Sequence, residues 1–83
     1  MTITELLHKR NEINKQIAFL ENTLKSGQIL IRTNIEMWVD STRNPRLFTA
    51  LVEVLDKELT YLFEESLAIN LKIDAINTLL SQD

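Results

Sequence analysis

Residues 28–43 read Gln-Ile-Leu-Ile-Arg-Thr-Asn-Ile-Glu-Met-Trp-Val-Asp-Ser-Thr-Arg, and how this run folds decides the architecture of the chain. Ile29, Ile31, Thr33, Ile35, Met37 and Val39 alternate with mostly polar neighbours, which is the two-residue period of a strand. Ile31, Ile35, Trp38 and Val39 also match one face of a helix, so periodicity alone does not separate the two. Thr33 and Glu36 stand at the spacing of a capping box, in which a Thr hydroxyl and a Glu carboxylate satisfy the free N–H groups of a helix start. That spacing predicts a short helix over 34–41, preceded by an extended or irregular Gln28–Arg32. Asp40-Ser41-Thr42-Arg43-Asn44 reads as a polar turn.

On the C-terminal side the pattern is plainer. Asn44 is a favourable N-cap residue, and Pro45 occupies the first helical position, where a missing N–H costs nothing. Phe48, Val52, Leu55, Leu59, Leu62, Ser66, Ile69, Ile73, Ile76 and Leu80 then alternate by four and three, a heptad seam broken only at Ser66. This predicts one helix over about 45–80. A second apolar row, Leu47, Leu51, Val54, Phe63, Leu67, Leu71, Ala75 and Leu79, makes the stripe wider than a two-helix seam needs.

On the N-terminal side, Thr2 and Glu5 form another capping box. Ile3, Leu6, Arg10, Ile13, Ile17, Leu20 and Leu24 again alternate by three and four, with Arg10 the one charged residue in the seam. Lys25 suits the last turn and Gly27 the left-handed position after it, giving a helix over about 3–25. Arg10 is expected to snorkel to the edge or to pair with an acid such as Asp74 or Glu65. The fold predicted from these parts is all-α. It is a single domain, 1–83, built as a long antiparallel, coiled-coil-like helical hairpin, with a connecting segment over about 26–43 that is a short helix or irregular. At about 1.5 Å per residue the long helix spans about 54 Å and the first about 34 Å. The excess of the long helix must be covered by the connection or by a second copy.

Composition narrows the function classes. The chain has 83 residues, 45% of them hydrophobic and 25% charged, with one Gly, one Pro and no Cys. Disulfides and thiolate metal sites are therefore excluded, and no cofactor is expected. A net charge of −3 argues against sequence-independent binding to a nucleic-acid polymer. The charge is unevenly placed. Residues 1–46 carry seven Lys/Arg against five Asp/Glu, or +2, and residues 47–83 carry two against seven, or −5. No apolar run approaches the roughly 18 residues of a membrane span. The N-terminus lacks the marks of a secretory signal, so a cytoplasmic location is expected.

Catalytic chemistry has little to stand on. His8 is the one histidine, and no Gly-rich phosphate loop, His-x-x-x-His pair or Ser/His/Asp set is present. Glu53, Asp56, Glu64 and Glu65 read as a solvated helix face. A non-enzymatic role is the expectation. A ligand, if one binds, is placed at the start of the long helix, at Arg43, Asn44 and Arg46 with Trp38 and Arg32 as further contributors. Free N–H groups and the macrodipole favour an anion there, and guanidinium forks and an indole face suit a nucleotide. Leu55, Leu59, Leu62, Phe63, Ile69, Ile73 and Ile76 are the expected oligomer or partner interface.

Two families are similar at these residues. Glu5-Leu6-Leu7-His8-Lys9-Arg10-Asn11-Glu12-Ile13, with Ile17, Leu20 and Leu24, resembles the first helix of the septicolysin-like small bacterial helical proteins. Asn44-Pro45 followed by Leu51, Leu55, Leu59, Leu62 and Ile69-Asn70 looks like that family's second helix, while the segment around Trp38 departs from it. Asn44-Pro45-Arg46 also resembles the start of the second helix in the phage-encoded helical-hairpin sponges that sequester cyclic-nucleotide immune signals. Leu47 stands where that pattern is usually aromatic. The second resemblance implies a phage protein that captures a nucleotide. The residues themselves point first to a small regulatory protein, an adaptor or inhibitor, that self-associates as a dimer or small oligomer and binds a protein partner through apolar helix faces.

Overall fold

A computed structural model of the chain describes residues 2–81. Its elements run α1 (Ile3–Ser26), β1 (Gln28–Arg32), β2 (Glu36–Asp40) and α2 (Pro45–Leu80). The described chain is about three-quarters helical, but the all-α expectation is overturned. The segment between the helices is a two-stranded antiparallel hairpin, neither a short helix nor irregular.

The physical reason lies in how Thr33 is used. Its hydroxyl does cap, but it caps a turn. Thr33 Oγ1 accepts from the Ile35 N–H at 3.3 Å, and the Thr33 N–H donates to the Ile35 carbonyl at 3.1 Å. Such local Ser/Thr bonds compete with helix initiation. Glu36, expected at the third helical position, instead faces Arg32 across the hairpin mouth, with Arg32 Nε 3.0 Å from Glu36 Oε1. The register pairs Ile29 with Val39 and Ile31 with Met37 on one face, and Leu30 with Trp38 on the other. Two strands alone are marginal in water. Here β1 lies against α1 and β2 against α2, and Val39 is fully buried. Tertiary packing thus selects the strand reading of an ambiguous run.

Both helices begin and end for local reasons. Thr2 Oγ1 accepts from the Glu5 N–H at 3.1 Å, and Gly27 closes α1 at φ 71°, where a side chain would be strained. At α2 Pro45 takes the first position, but Asn44 makes no side-chain cap bond. Its backbone bonds on either side: its N–H donates to the Asp40 carbonyl at 3.1 Å, and its carbonyl accepts from the Phe48 N–H at 2.8 Å.

The core is a strip between the helices. Leu6, Ile13 and Ile17 of α1 meet Leu59, Leu62, Ile69 and Ile73 of α2, flanked by Ile3, Leu20, Leu24 and Ile76. Leu20 shares a groove with Leu55 beside the hairpin, so the helices run antiparallel. Arg10 sits half-buried at the seam, and among the described residues it forms no ion pair with Asp74 or Glu65. The molecule measures 60 × 23 × 17 Å with a radius of gyration of 17.6 Å. A compact chain of this length would have a radius near 12 Å. No described helix is long and apolar enough to cross a membrane.

Candidate functional site

The turn before α2 is organised by Asp40. Its Oδ1 accepts from the N–H groups of Thr42 at 2.9 Å and Arg43 at 2.6 Å, and its Oδ2 lies 3.6 Å from Arg43 Nε. This Asx-type turn satisfies donors just ahead of the helix start. It also places a carboxylate beside one of the two arginines that flank that start. Arg32, on the same hairpin face as Trp38 by register, is held by Glu36. Both ion pairs are well exposed on the arginine side, and such pairs contribute about 0–1 kcal/mol. Arg46 is exposed in the first turn of α2, which carries no acidic residue, and it joins no ion pair among the described residues.

Trp38 is half-exposed and looks onto an open groove of about 570 Å³ between the end of α1, the hairpin and α2. Phe19, Leu20, Leu30 and Leu55 supply its apolar wall. Its hydroxyls are already engaged: Thr23 donates to the Phe19 carbonyl at 2.8 Å and Ser26 to the Thr23 carbonyl at 2.7 Å. The groove is walled mainly by apolar side chains, with Asn22 and Gln28 as its further polar lining. The five residues expected to form a ligand site are thus divided. Arg43 and Asn44 lie in the Asp40 turn and Arg46 just beyond it in the first turn of α2, Arg32 is beside the hairpin turn, and Trp38 is on the groove.

Of the expected interface set, Leu59, Leu62, Ile69 and Ile73 are buried inside the chain and Leu55 and Ile76 are half-buried. Phe63 is exposed. Besides Phe63, α2 exposes Leu67, Leu79 and Leu80 and a separate row on its far side. Leu47, Ala50, Val54, Tyr61, Ala68, Leu71 and Ala75 step by three and four along the helix, with Lys57, Glu64 and Thr78 completing the repeat. All ten positions are exposed. This outer seam has the same period as the core seam and is turned away from α1. The second apolar row in the sequence signalled it in part; Ala50, Tyr61 and Ala68 escaped because small or hydroxyl-bearing residues weaken an apolar signal.

Tyr61 sits midway along this seam. Its hydroxyl donates to Glu65 Oε1 at 3.1 Å, and that bond, with the carboxylate charge behind it, raises the phenol above its ordinary value of 10.0. Among the described residues no group of three His, Asp or Glu side chains is placed to hold a metal, and no buried side-chain polar atom lacks a partner. Compared with known proteins, the chain matches no family model, no curated protein and no solved structure.

Proposed function

We propose that the chain is a non-catalytic interaction protein, an adaptor or inhibitor, that self-associates and docks a protein partner through apolar helix surface. The observation that carries this reading is the amount of apolar surface left uncovered. The accessible surface is 6488 Å². A folded monomer of 9.6 kDa exposes about 5,100 Å², leaving an excess of about 1,400 Å². Val54, Leu67, Leu71, Leu79 and Leu80 are each more than 60% exposed, as are Phe19 and Ile35. The excess belongs in part to the elongated shape, but these side chains are its apolar part, and contiguous exposed apolar side chains mark interaction sites in soluble proteins. The groove beside Trp38 suits a partner's apolar anchor, because aromatic-lined recesses are where interface energy concentrates.

A second reading is kept for one observation, the uncompensated cationic start of α2 at Arg46. On that reading the chain is a phage-type sponge for a nucleotide. The two readings separate by thermal shift across mono-, cyclic and dinucleotides. A ligand that binds the native state alone raises its melting temperature. The interaction reading expects no shift with any nucleotide and a mass above the monomer by light scattering at tens of micromolar. A monomer at that concentration, stabilised by a nucleotide, would reverse the order of the two readings.

A further inference from the structure

We infer that the outer seam of α2 is the surface on which a second copy of this chain packs, antiparallel, with the two-fold axis close to Leu59 and Thr60. The inference rests on the self-association proposed above and specifies its face and direction.

Area comes first. The surplus of about 1,400 Å² per chain counts polar and apolar surface over the whole elongated molecule, and burying half of it on each copy would still reach the roughly 1,200–2,000 Å² of a specific interface. A seam of ten positions stepping by three and four is what a helix presents when it packs along another helix. The core seam of α2 answers to α1. Within the chain the outer seam has no such counterpart among the described residues.

Charge then sets direction. The seam carries two charged residues, Lys57 and Glu64, one heptad apart, and neither joins an ion pair among the described residues. A parallel, in-register pair of helices would set Lys57 against Lys57 and Glu64 against Glu64. An antiparallel pair reverses this. With the axis beside Leu59, Leu47 meets Leu71 of the second copy and Ala50 meets Ala68 of the second copy. Lys57 then comes within one helical turn of Glu64 of the second copy, twice over by symmetry. The helix α2 carries three Lys/Arg against six Asp/Glu, or −3, so two such helices repel unless their few cations are used in this way.

The test uses the full chain and charge reversal at exposed positions, where folding of the single chain is unaffected. Lys57→Glu places four carboxylates together, and the dimer dissociation constant measured by sedimentation equilibrium should rise about 100-fold or more, with the circular dichroism spectrum unchanged. Adding Glu64→Lys should restore it. Direction is read separately by cysteine cross-linking, which is clean because the chain has no cysteine of its own. Ala50→Cys copies mixed with Ala68→Cys copies should form the mixed disulfide faster than either forms its own. Faster self-linking by Ala50→Cys would overturn the antiparallel arrangement. A dimer untouched by Lys57→Glu but dissociated by Phe63→Glu would place the contact on the opposite side of α2, overturning this inference while leaving self-association intact. A wild-type monomer at tens of micromolar would overturn both.

Discussion

The two helices share a core and differ in what they do with the other side. Outside its seam, α1 is largely Lys, Glu, Asn and Gln, and Leu7 and Phe19 are its exposed large apolar residues. On α2 eight such residues are exposed: Leu47, Val54, Tyr61, Phe63, Leu67, Leu71, Leu79 and Leu80. Both helices contribute comparably to the core, three buried residues from α1 and four from α2. The demands of the chain's own core therefore explain α1 apart from Leu7 and Phe19, but only half of α2. A helix facing water on its far side has no use for a second apolar row. The contrast leaves α2 with one apolar face covered from within the chain and a second one exposed.

The largest effect that probes this contrast comes from the inner seam. Leu62 is 3% exposed, and Leu62→Lys puts a charge where it has neither water nor a partner. A loss of about 3–5 kcal/mol is expected, enough to abolish cooperative unfolding in a domain this small. Thermal denaturation followed by circular dichroism checks it. Retention of a native-like transition would mean that the inner seam is not the core.

On the outer seam the same chemistry should act only between chains. Leu71→Lys is expected to leave helicity and monomer unfolding within about 0.5 kcal/mol of wild type, since Leu71 is 61% exposed. It should shift the light-scattering mass toward the monomer. Asn14→Lys on the outer side of α1 should change neither. Equal effects from the two would erase the distinction between the helices.

A smaller loss is expected at the turn joining the hairpin to α2. Asp40→Ala removes the acceptor of two backbone N–H groups and the partner of Arg43. A destabilisation of about 1–3 kcal/mol follows, read in urea. Arg43→Ala should cost less than about 1 kcal/mol, because it removes only an exposed pair. If Arg43→Ala costs as much as Asp40→Ala, the turn is held by the ion pair and not by the backbone bonds.

These cases also show how much was legible beforehand. The Asn44-Pro45 start, the Thr2/Glu5 pair and Gly27 mark helix ends through local chemistry, and local chemistry is readable. The hairpin was not, because Thr33 and Glu36 stand at capping-box spacing while the isoleucines stand at strand spacing. What decides is whether Val39 finds a buried site, and that depends on residues far along the chain. Likewise the heptads announced two apolar rows on α2 without saying which one α1 would take. Leu59, Leu62, Ile69 and Ile73 read as an interface and became the interior, leaving the weaker-looking row outside. The turn at Asp40-Ser41-Thr42-Arg43-Asn44 was readable as a polar turn, because Asp, Ser and Asn favour turns through local hydrogen bonds.

The smallest effect is a titration. Tyr61 is the one tyrosine, so absorbance reports it alone. Its midpoint should lie above 10.0, because Glu65 accepts its proton in a hydrogen bond and opposes the phenolate charge. Stability from this bond is present at neutral pH and lost as pH rises through the raised value. Glu65→Gln should bring the midpoint down. A midpoint at or below the ordinary value in the wild type would remove the bond.

The central claim is that the outer side of α2 is covered in solution and the outer side of α1 is not. Ala18→Cys and Ala68→Cys test it, because both alanines are exposed in the single chain, Ala18 on α1 near Leu59 of α2 and Ala68 on the outer seam of α2. Thiol modification rates are compared at tens of micromolar and after dilution. Modification at position 68 is expected to be at least about tenfold slower than at position 18 in the concentrated sample, the protection of a group removed from solvent by association. On dilution below the dissociation constant the two rates should converge. Equal rates at every concentration would contradict the account.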